Sequence, residues 1–335
     1  MTGAQVPDPG PVMQAMTAYW VSGALHGCLD LDLFTRVANG KTTVASLAVD
    51  AGASERGVRA LANAMCSQGF LEKRDGEYAL TATADTFLRS DKQSFLGGFH
   101  QFINSEHFWQ AFGRVSEAAV TGKSVGHHSA TAPQEELWEQ FAEGSLPTAM
   151  AVAARLPELV DTSRPGMRIL DVAAGSGAYG ITLARACPES HVTFLDWPNV
   201  LDVTLRHAKR MGVGDRCDTI AGSAFDLEWG GPYDIVVAGH FLHHFSRQTC
   251  VDVIRKARAA LAPDGVFATS EFVADERREE PGFALLFAVA MLVWTDEGDA
   301  YTLSELESLL AKGGLPDVSH HVAPGDPASW LIARG

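Results

Sequence analysis

Between residues 165 and 335, short apolar runs rich in β-branched side chains alternate with amphipathic stretches. "MRILDVAA", "HVTFLDW", "CDTIAGSAF", "YDIVVAGHF" and "GVFATSEFV" read as strands, and "YGITLARACP" and "VLDVTLRHAKRMG" as intervening helices. That is the β-α-β rhythm of a doubly wound, mostly parallel sheet. The rhythm stops near the end, where "DVSHHVAP" and "SWLIARG" flank the turn-rich "GDPA". This predicts a closing antiparallel hairpin. The expected fold class is therefore α/β and Rossmann-like, preceded by a separate helical domain.

That domain is expected over 11–90. "LDLFTRVAN" is amphipathic, and Ala48, Val58, Leu61, Ala62, Met65 and Phe70 recur at helical spacing through two helices around a tight turn. Ser54 is a candidate N-cap and Gly69 a stop signal. "FLEKRDGEYALT" then places two β-prone pieces around a hairpin turn signal. Helix-turn-helix plus hairpin is a winged helix. Residues 91–160 read as a helical connector with a rich aromatic supply: Phe95, Phe99 and Phe102 follow i, i+4, i+7, and Phe108, Trp109 and Phe112 continue it. Most such rings pack domains together; some are expected to line a cavity for a flat apolar ligand. The third region is 161–335.

Composition narrows the function classes. A formal charge of −15 opposes a nucleic-acid or anionic-membrane binder, which needs a basic face. Residues 11–90 hold eight acidic and seven basic side chains, so the winged helix is not read as a DNA reader. Cys28, Cys66, Cys187, Cys217 and Cys250 are scattered without a C-x-x-C pair, as expected for reduced core thiols in a cytoplasm. The start of the chain has no apolar segment of signal-peptide type. The most apolar run, "FALLFAVAMLVW" over 283–294, is too short to span a bilayer and reads as a buried helix.

The chemistry gathers at strand ends. "ILDVAAGSGAYG" places Gly175, Gly177 and Gly180 directly after the first strand, where ligands of open parallel sheets sit. The same glycines fit a dinucleotide cradle. Asp171, four residues before Gly175, argues against that, because a carboxylate aimed into the crevice opposes a pyrophosphate at close range. A sulfonium and ammonium ligand without phosphate suits the charge, which points to S-adenosylmethionine. Asp196, with Trp197 after it, ends the second strand, where a carboxylate accepts from both ribose hydroxyls. Asp226 follows the third strand near an adenine amino group, and Phe225 is placed to pack on the base.

On these residues the chain resembles a known family. "ILDVAAGSGAYGITLARACPESHVTFLDWPNVL" is similar to the first motifs of class I S-adenosylmethionine-dependent methyltransferases. "FLDWPNVL", "FLHHFSRQTCVDVIRKARAALAPDG" and "LEKRDGEYALTATADTFL" resemble, in order, segments of the small-molecule O-methyltransferases. These include caffeate-type plant enzymes and bacterial antibiotic-tailoring enzymes. The resemblance implies methyl transfer to a hydroxyl of an aromatic or polyketide-like molecule. It also implies a winged-helix region that forms a homodimer. His243 matches the family's general base, and Glu271 matches an acid that orients it. Met291 and Trp294 match positions that clamp the acceptor ring, with Phe108 and Trp109 as further candidates; His240 is placed among the cofactor-binding residues. Two departures stand out: Ala300, in "EGDAYT", occupies the place of a second acid, with Asp299 beside it but expected to point elsewhere, and His244 replaces an aspartate.

The cluster "GHFLHHF" also suits a metal, since His240 with His243 or His244 has chelating spacing if helical. General base is the preferred reading, with no metal assigned. Metal-assisted C-methylation of an enolisable acid and a non-methylating, cofactor-binding regulator are the alternatives. His127–His128 and His320–His321 read as structural, in a loop and an outer strand.

Overall fold

The computed structural model of the protein describes residues 7–126, 135–323 and 325–335; His127–His128 lie outside them. The chain divides into two compact units, Met1–His100 and Gln101–Gly335.

The first unit opens with a long helix, Gly10–Asp30, that the hydrophobic pattern did not single out. Its Val12, Met13, Met16, Tyr19 and Trp20 form an exposed apolar face, whereas Leu25, Cys28 and Leu29 of its second half turn the opposite side to the core, so no single stripe runs its length. Helices Leu33–Ala38, Val44–Ala51 and Glu55–Ser67 follow. Thr43 and Ser46 form a reciprocal capping box, and Ser54 accepts the Gly57 N–H at 3.1 Å as expected. Strands β1 (Leu71–Arg74) and β2 (Glu77–Leu80) pair through Asp75 and Gly76, at φ 49° and 84°. Two consecutive positive φ values make the tight turn that matches strand twist. Leu33, Phe34, Leu47, Val58, Met65 and Tyr78 form the core. The winged-helix expectation holds.

The second unit is built on a seven-stranded sheet. Its strands are β3 (Arg168–Val172), β4 (His191–Asp196), β5 (Cys217–Ala221), β6 (Tyr233–Gly239), β7 (Leu261–Glu271), β8 (Asp317–Val322) and β9 (Ser329–Arg334), in the order β5-β4-β3-β6-β7-β9-β8. Pairings β5 through β7 are parallel; β9 runs antiparallel to both β7 and β8. His320 and His321 stand in β8, as read. Side chains alternate across β3: Leu170 and Val172 join a core with Phe267 and Leu331 on one face, and Ile169 joins Phe194, Trp330 and Ile332 on the other. Helices Ala178–Ala186 and Pro198–Arg210 connect β3 to β4 and β4 to β5, and Arg247–Ala260 connects β6 to β7. The strand order reverses beside β3, which opens the crevice beyond the carboxyl ends of β3 and β6. Helices Glu106–Gly113, Val115–Thr121, Glu135–Ala153 and Gly282–Trp294 supply further walls.

All five cysteines are free. No helix of the described residues is long and apolar enough to cross a membrane.

Candidate active site

The glycine loop after β3 is held from three sides. Asp171 is wholly buried on the Ile169 face of β3 and reaches the loop from beneath; its Oδ2 accepts the Gly180 N–H at 2.8 Å. The sequence reading aimed this carboxylate into the crevice. Helix Ala178–Ala186 covers that face instead, and Asp171 satisfies an orphan amide of its first turn, where the N-cap Gly177 has no side chain to do so. Asp171 Oδ1 has no partner among the described residues. From the side, Asp196 Oδ2 accepts the Gly175 N–H at 2.8 Å and Oδ1 the Trp197 N–H at 2.7 Å. From the adjoining helix, Thr204 Oγ1 donates to the Gly175 carbonyl at 2.7 Å, and His207 Nδ1 lies 2.9 Å from the Ser176 carbonyl. Sequence reasoning missed Thr204 and His207. Their signal was three-residue spacing on one face of an amphipathic helix.

Two glycines are set by space and backbone. Gly175 has φ 53°, and Gly177 has φ 77°. A Cβ on Gly177 would also meet Thr204 Cγ2 at 2.7 Å. The loop therefore keeps bare backbone toward the crevice.

Charge favours a cationic ligand here. Burial, and to a smaller degree Asp196, holds the Asp171 carboxyl well above the usual range, and burial raises Asp196 to about 6. A nearby cation relieves both. Asp196 uses one acceptor site on each oxygen for an amide, leaving further lone pairs for a diol. The residues present thus fit S-adenosylmethionine. Asp226 is exposed and, among the described residues, bonds only through its backbone N–H to Ser223 O at 3.2 Å, so the structure does not gather it with Asp171 and Asp196. Phe225 packs edge-on against Phe245 at 5.0 Å. Lys256 Nζ, also missed, donates to the carbonyls of Ala224, Phe225 and Leu227 at 2.7–2.9 Å and fixes that turn.

The second cluster stands after β6. His240 has φ 52°, a left-handed position uncommon for a side-chain-bearing residue. Beyond it, the amides of Phe241 and Leu242 donate to Glu271 Oε1 at 3.2 and 2.8 Å. Glu271 ends β7, is buried, and its Oε2 lies 2.6 Å from His243 Nδ1. Burial pushes His243 down to about 3 and Glu271 up to about 7. For the pair, neutral histidine is the governing direction: the Nδ1–H and two amides converge on the carboxylate, which suits its ionised form. Nε2 then carries the lone pair. Burial lowers His240 to about 4, and burial with the neighbouring His243 and His240 holds His244 well below the ordinary imidazole value. The Nδ1 atoms of His240 and His244 have no partner among the described residues. Phe287 meets the His243 ring edge-on at 4.7 Å, and Phe272 lies 4.6 Å from His240. Both phenylalanines escaped the sequence reading, although Phe287 precedes Met291 by one helical turn.

Aromatic rings line the next wall. Phe108 stacks on Trp294 at 4.0 Å and 12°, with Phe102 edge-on to both. Met291 and Trp294 are buried, whereas Trp109 is 38% exposed and is not brought to this group. Neighbours on a helix diverge by about 100°, and here Phe108 faces Trp294 while Trp109 turns outward. Ala300 is buried in the second acid's place, and Asp299 pairs with Arg278 at 3.4 Å, directed elsewhere as expected.

Comparison with known proteins agrees with this geometry. Residues 101–316 match the O-methyltransferase domain and residues 13–90 the O-methyltransferase dimerisation domain. The tetracenomycin polyketide synthesis 8-O-methyl transferase TcmO of Streptomyces glaucescens is 28% identical, over 98% of this chain and 97% of its own. A crystal structure of a protein of Nostoc punctiforme described as a candidate O-methyltransferase superposes with a TM-score of 0.91 at 31% identity, covering 98% and 99% of the two chains. Human N-acetylserotonin methyltransferase in complex with S-adenosylmethionine shares the fold, with a TM-score of 0.87 at 21% identity over 100% and 99%. The chain belongs to the S-adenosylmethionine-dependent O-methyltransferase family.

Proposed function

We propose that the protein methylates a hydroxyl of an aromatic or polyketide-like small molecule, with His243 as general base and Glu271 as the residue that positions it. The 2.6 Å contact between His243 Nδ1 and Glu271 carries this reading, because it leaves Nε2 as the proton acceptor. Bound S-adenosylmethionine supplies an activated methyl group on a sulfonium. Asp196 would hold the ribose, and the Gly175–Gly177 backbone would lie against the cofactor. Asp171 acts as a buried counter-charge below the loop, and Trp197 and Phe225 flank the nucleoside. The base is asked for little: an acceptor phenol of pKa about 10 loses its proton as attack proceeds, a contribution of roughly 10²–10⁴-fold. Positioning by Met291, Trp294 and Phe108 supplies much of the rest.

The substrate class rests on the wall of rings and on the tetracenomycin relative, whose name refers to a polyketide. The working division is 11–90 for dimerisation, 91–160 for the connector to the acceptor cavity, and 161–335 for cofactor binding. We infer a homodimer from the dimerisation domain, and a reducing cytoplasm from five free cysteines.

Incubation with S-adenosylmethionine and a panel of phenols, reading adenosylhomocysteine, tests the proposal. Turnover that falls at least a hundredfold in His243→Ala supports it; unchanged turnover in that variant refutes it. A second reading has one observation in its favour: His240, His243 and Glu271 place ligand atoms within 4.8 Å of one another, a metal-capable group. Metal-assisted methylation of an enolisable acid would use it, and chelator-insensitive turnover removes that reading.

A further inference from the structure

Helix Glu135–Ala153 lies against the glycine loop, and one side-chain pair ties the two together. A Cβ on Gly175 would stand 3.5 Å from Phe141 Cε1, so the Phe141 ring covers the loop there. Phe141 is also edge-on to Phe102 at 5.0 Å and through it joins the wall of rings. Ala142 and Trp138 pack with Val200 and Val203 of helix Pro198–Arg210. Glu143 reaches the same helix: Oε1 pairs with Arg206, and Oε2 lies 3.3 Å from His207 Nε2. The other nitrogen of that ring, Nδ1, lies 2.9 Å from the Ser176 carbonyl. His207 is buried, and its ring links the glycine loop to the helix that carries Phe141.

Both partners of this ring are acceptors. A carbonyl has no hydrogen to give, so Nδ1 carries one. Glu143 is ionised: burial raises its carboxyl, but Arg206 and His207 outweigh burial and hold it below the ordinary carboxylate range. The link is therefore complete when Nε2 carries a hydrogen too and the ring donates at both ends. The same face of the helix supplies Thr204, whose hydroxyl donates to the Gly175 carbonyl at 2.7 Å. Two successive loop carbonyls are thus fixed from one helix, which sets the backbone that would lie against the cofactor.

We propose that Glu143 and His207 act together as positioning residues for the cofactor: Glu143 orients the His207 ring, which fixes the Ser176 carbonyl and ties the Phe141-bearing helix to the glycine loop. A link made before the cofactor arrives spares ordering that binding would otherwise have to supply. The inference rests on the cofactor and not on the acceptor, so its test uses adenosylhomocysteine with no acceptor present.

Affinity for adenosylhomocysteine is measured by calorimetry at pH 6 on the full-length wild type, Glu143→Ala, His207→Asn and the double variant. An asparagine amide stands near the Nδ1 position, so it keeps the Ser176 bond and loses the reach to Glu143. Each single variant should bind about tenfold more weakly, on the order of one charge-assisted hydrogen bond. The double variant should also lose about tenfold, because either change breaks the same link. Glu143→Gln should return to within about threefold of wild type, since its oxygen accepts from Arg206 and its NH₂ donates to a neutral ring that keeps Nδ1–H. Nitrogen NMR should show two ring N–H groups at His207 in the wild type and one, on Nδ1, in Glu143→Gln. The Glu143 side chain is 48% exposed, so its variants should fold even if His207→Asn does not. Full affinity in Glu143→Ala, losses that multiply to about a hundredfold in the double variant, or Glu143→Gln as weak as Glu143→Ala would overturn the proposal. So would a wild-type His207 with a single ring hydrogen.

Discussion

Replacing Glu271 by glutamine changes one atom, and its consequence follows from the geometry. The carboxylate has two acceptor faces: Oε1 takes the amides of Phe241 and Leu242, and Oε2 faces His243 Nδ1 at 2.6 Å. A glutamine has one acceptor end and one donor end. Turned toward the two amides, it keeps two hydrogen bonds and presents NH₂ to His243. Turned the other way, it leaves two buried N–H groups unpaired, at about 1–3 kcal/mol each. The first orientation therefore wins. It forces Nδ1 to accept and moves the ring hydrogen to Nε2, so His243 can no longer take a proton from the acceptor. The expected loss is the general-base share, roughly 10²–10⁴-fold in kcat. Affinity for adenosylhomocysteine should stay within about threefold, because no cofactor group is touched. Steady-state kinetics with an acceptor from the phenol panel, paired with nitrogen NMR of the His243 tautomer, reads both. Activity near wild type, or retention of the Nδ1–H tautomer in Glu271→Gln, would refute the reasoning.

The remaining predictions concern the cofactor cleft and the ring wall. Asp196 has its folded pKa raised to about 6 from an ordinary 3.8, so its contribution to folding stability is full below about pH 4 and is lost as pH rises through 6. Cofactor binding has the opposite sense: S-adenosylmethionine favours the ionised carboxylate, so its affinity should rise through pH 6 and be about tenfold weaker one unit below; a flat profile by calorimetry contradicts this. Gly180→Ala would place a Cβ 2.6 Å from Phe194 Cε1 and 2.8 Å from Val192 Cγ1. Overpacking should cost about 1–3 kcal/mol, seen as a lower Tm by calorimetry, and no loss would mean the loop has room that the structure denies. Phe108→Ala should raise the KM for the acceptor several-fold while Trp109→Ala leaves it unchanged, since Phe108 stacks on Trp294 and Trp109 turns outward; equal effects would count against the proposed wall.

Much of the fold was legible because its determinants are local. The strands β3 to β9 follow runs of β-branched residues, and Ser54, Asp75 and Gly76 mark a cap and a turn by residue type alone. Helix Gly10–Asp30 was not legible as one element, because the apolar face of its first half and that of its second half lie on opposite sides and cancel over its length. At the site, the Glu271–His243 pair emerged from a family likeness, not from spacing, since 28 residues separate the partners. Asp171 was recognised but its direction was not. Position along a strand fixes which face a residue shares, and only the packed helix reveals that this face is closed. Thr204, His207 and Lys256 support loops distant in sequence; the spacing of Thr204 and His207 puts them on one helix face, but it does not say which loop that face meets. Trp109 and Asp226 look like their functional neighbours in type, yet the helix and turn that carry them direct both toward solvent.

The central claim concerns one proton acceptor, and a crystal structure with adenosylhomocysteine and an acceptor identified by turnover tests it most directly. The account predicts the acceptor hydroxyl within about 2.6–3.2 Å of His243 Nε2, with Nδ1 still on Glu271. A hydroxyl held by another group, with His243 Nε2 out of reach, would contradict it.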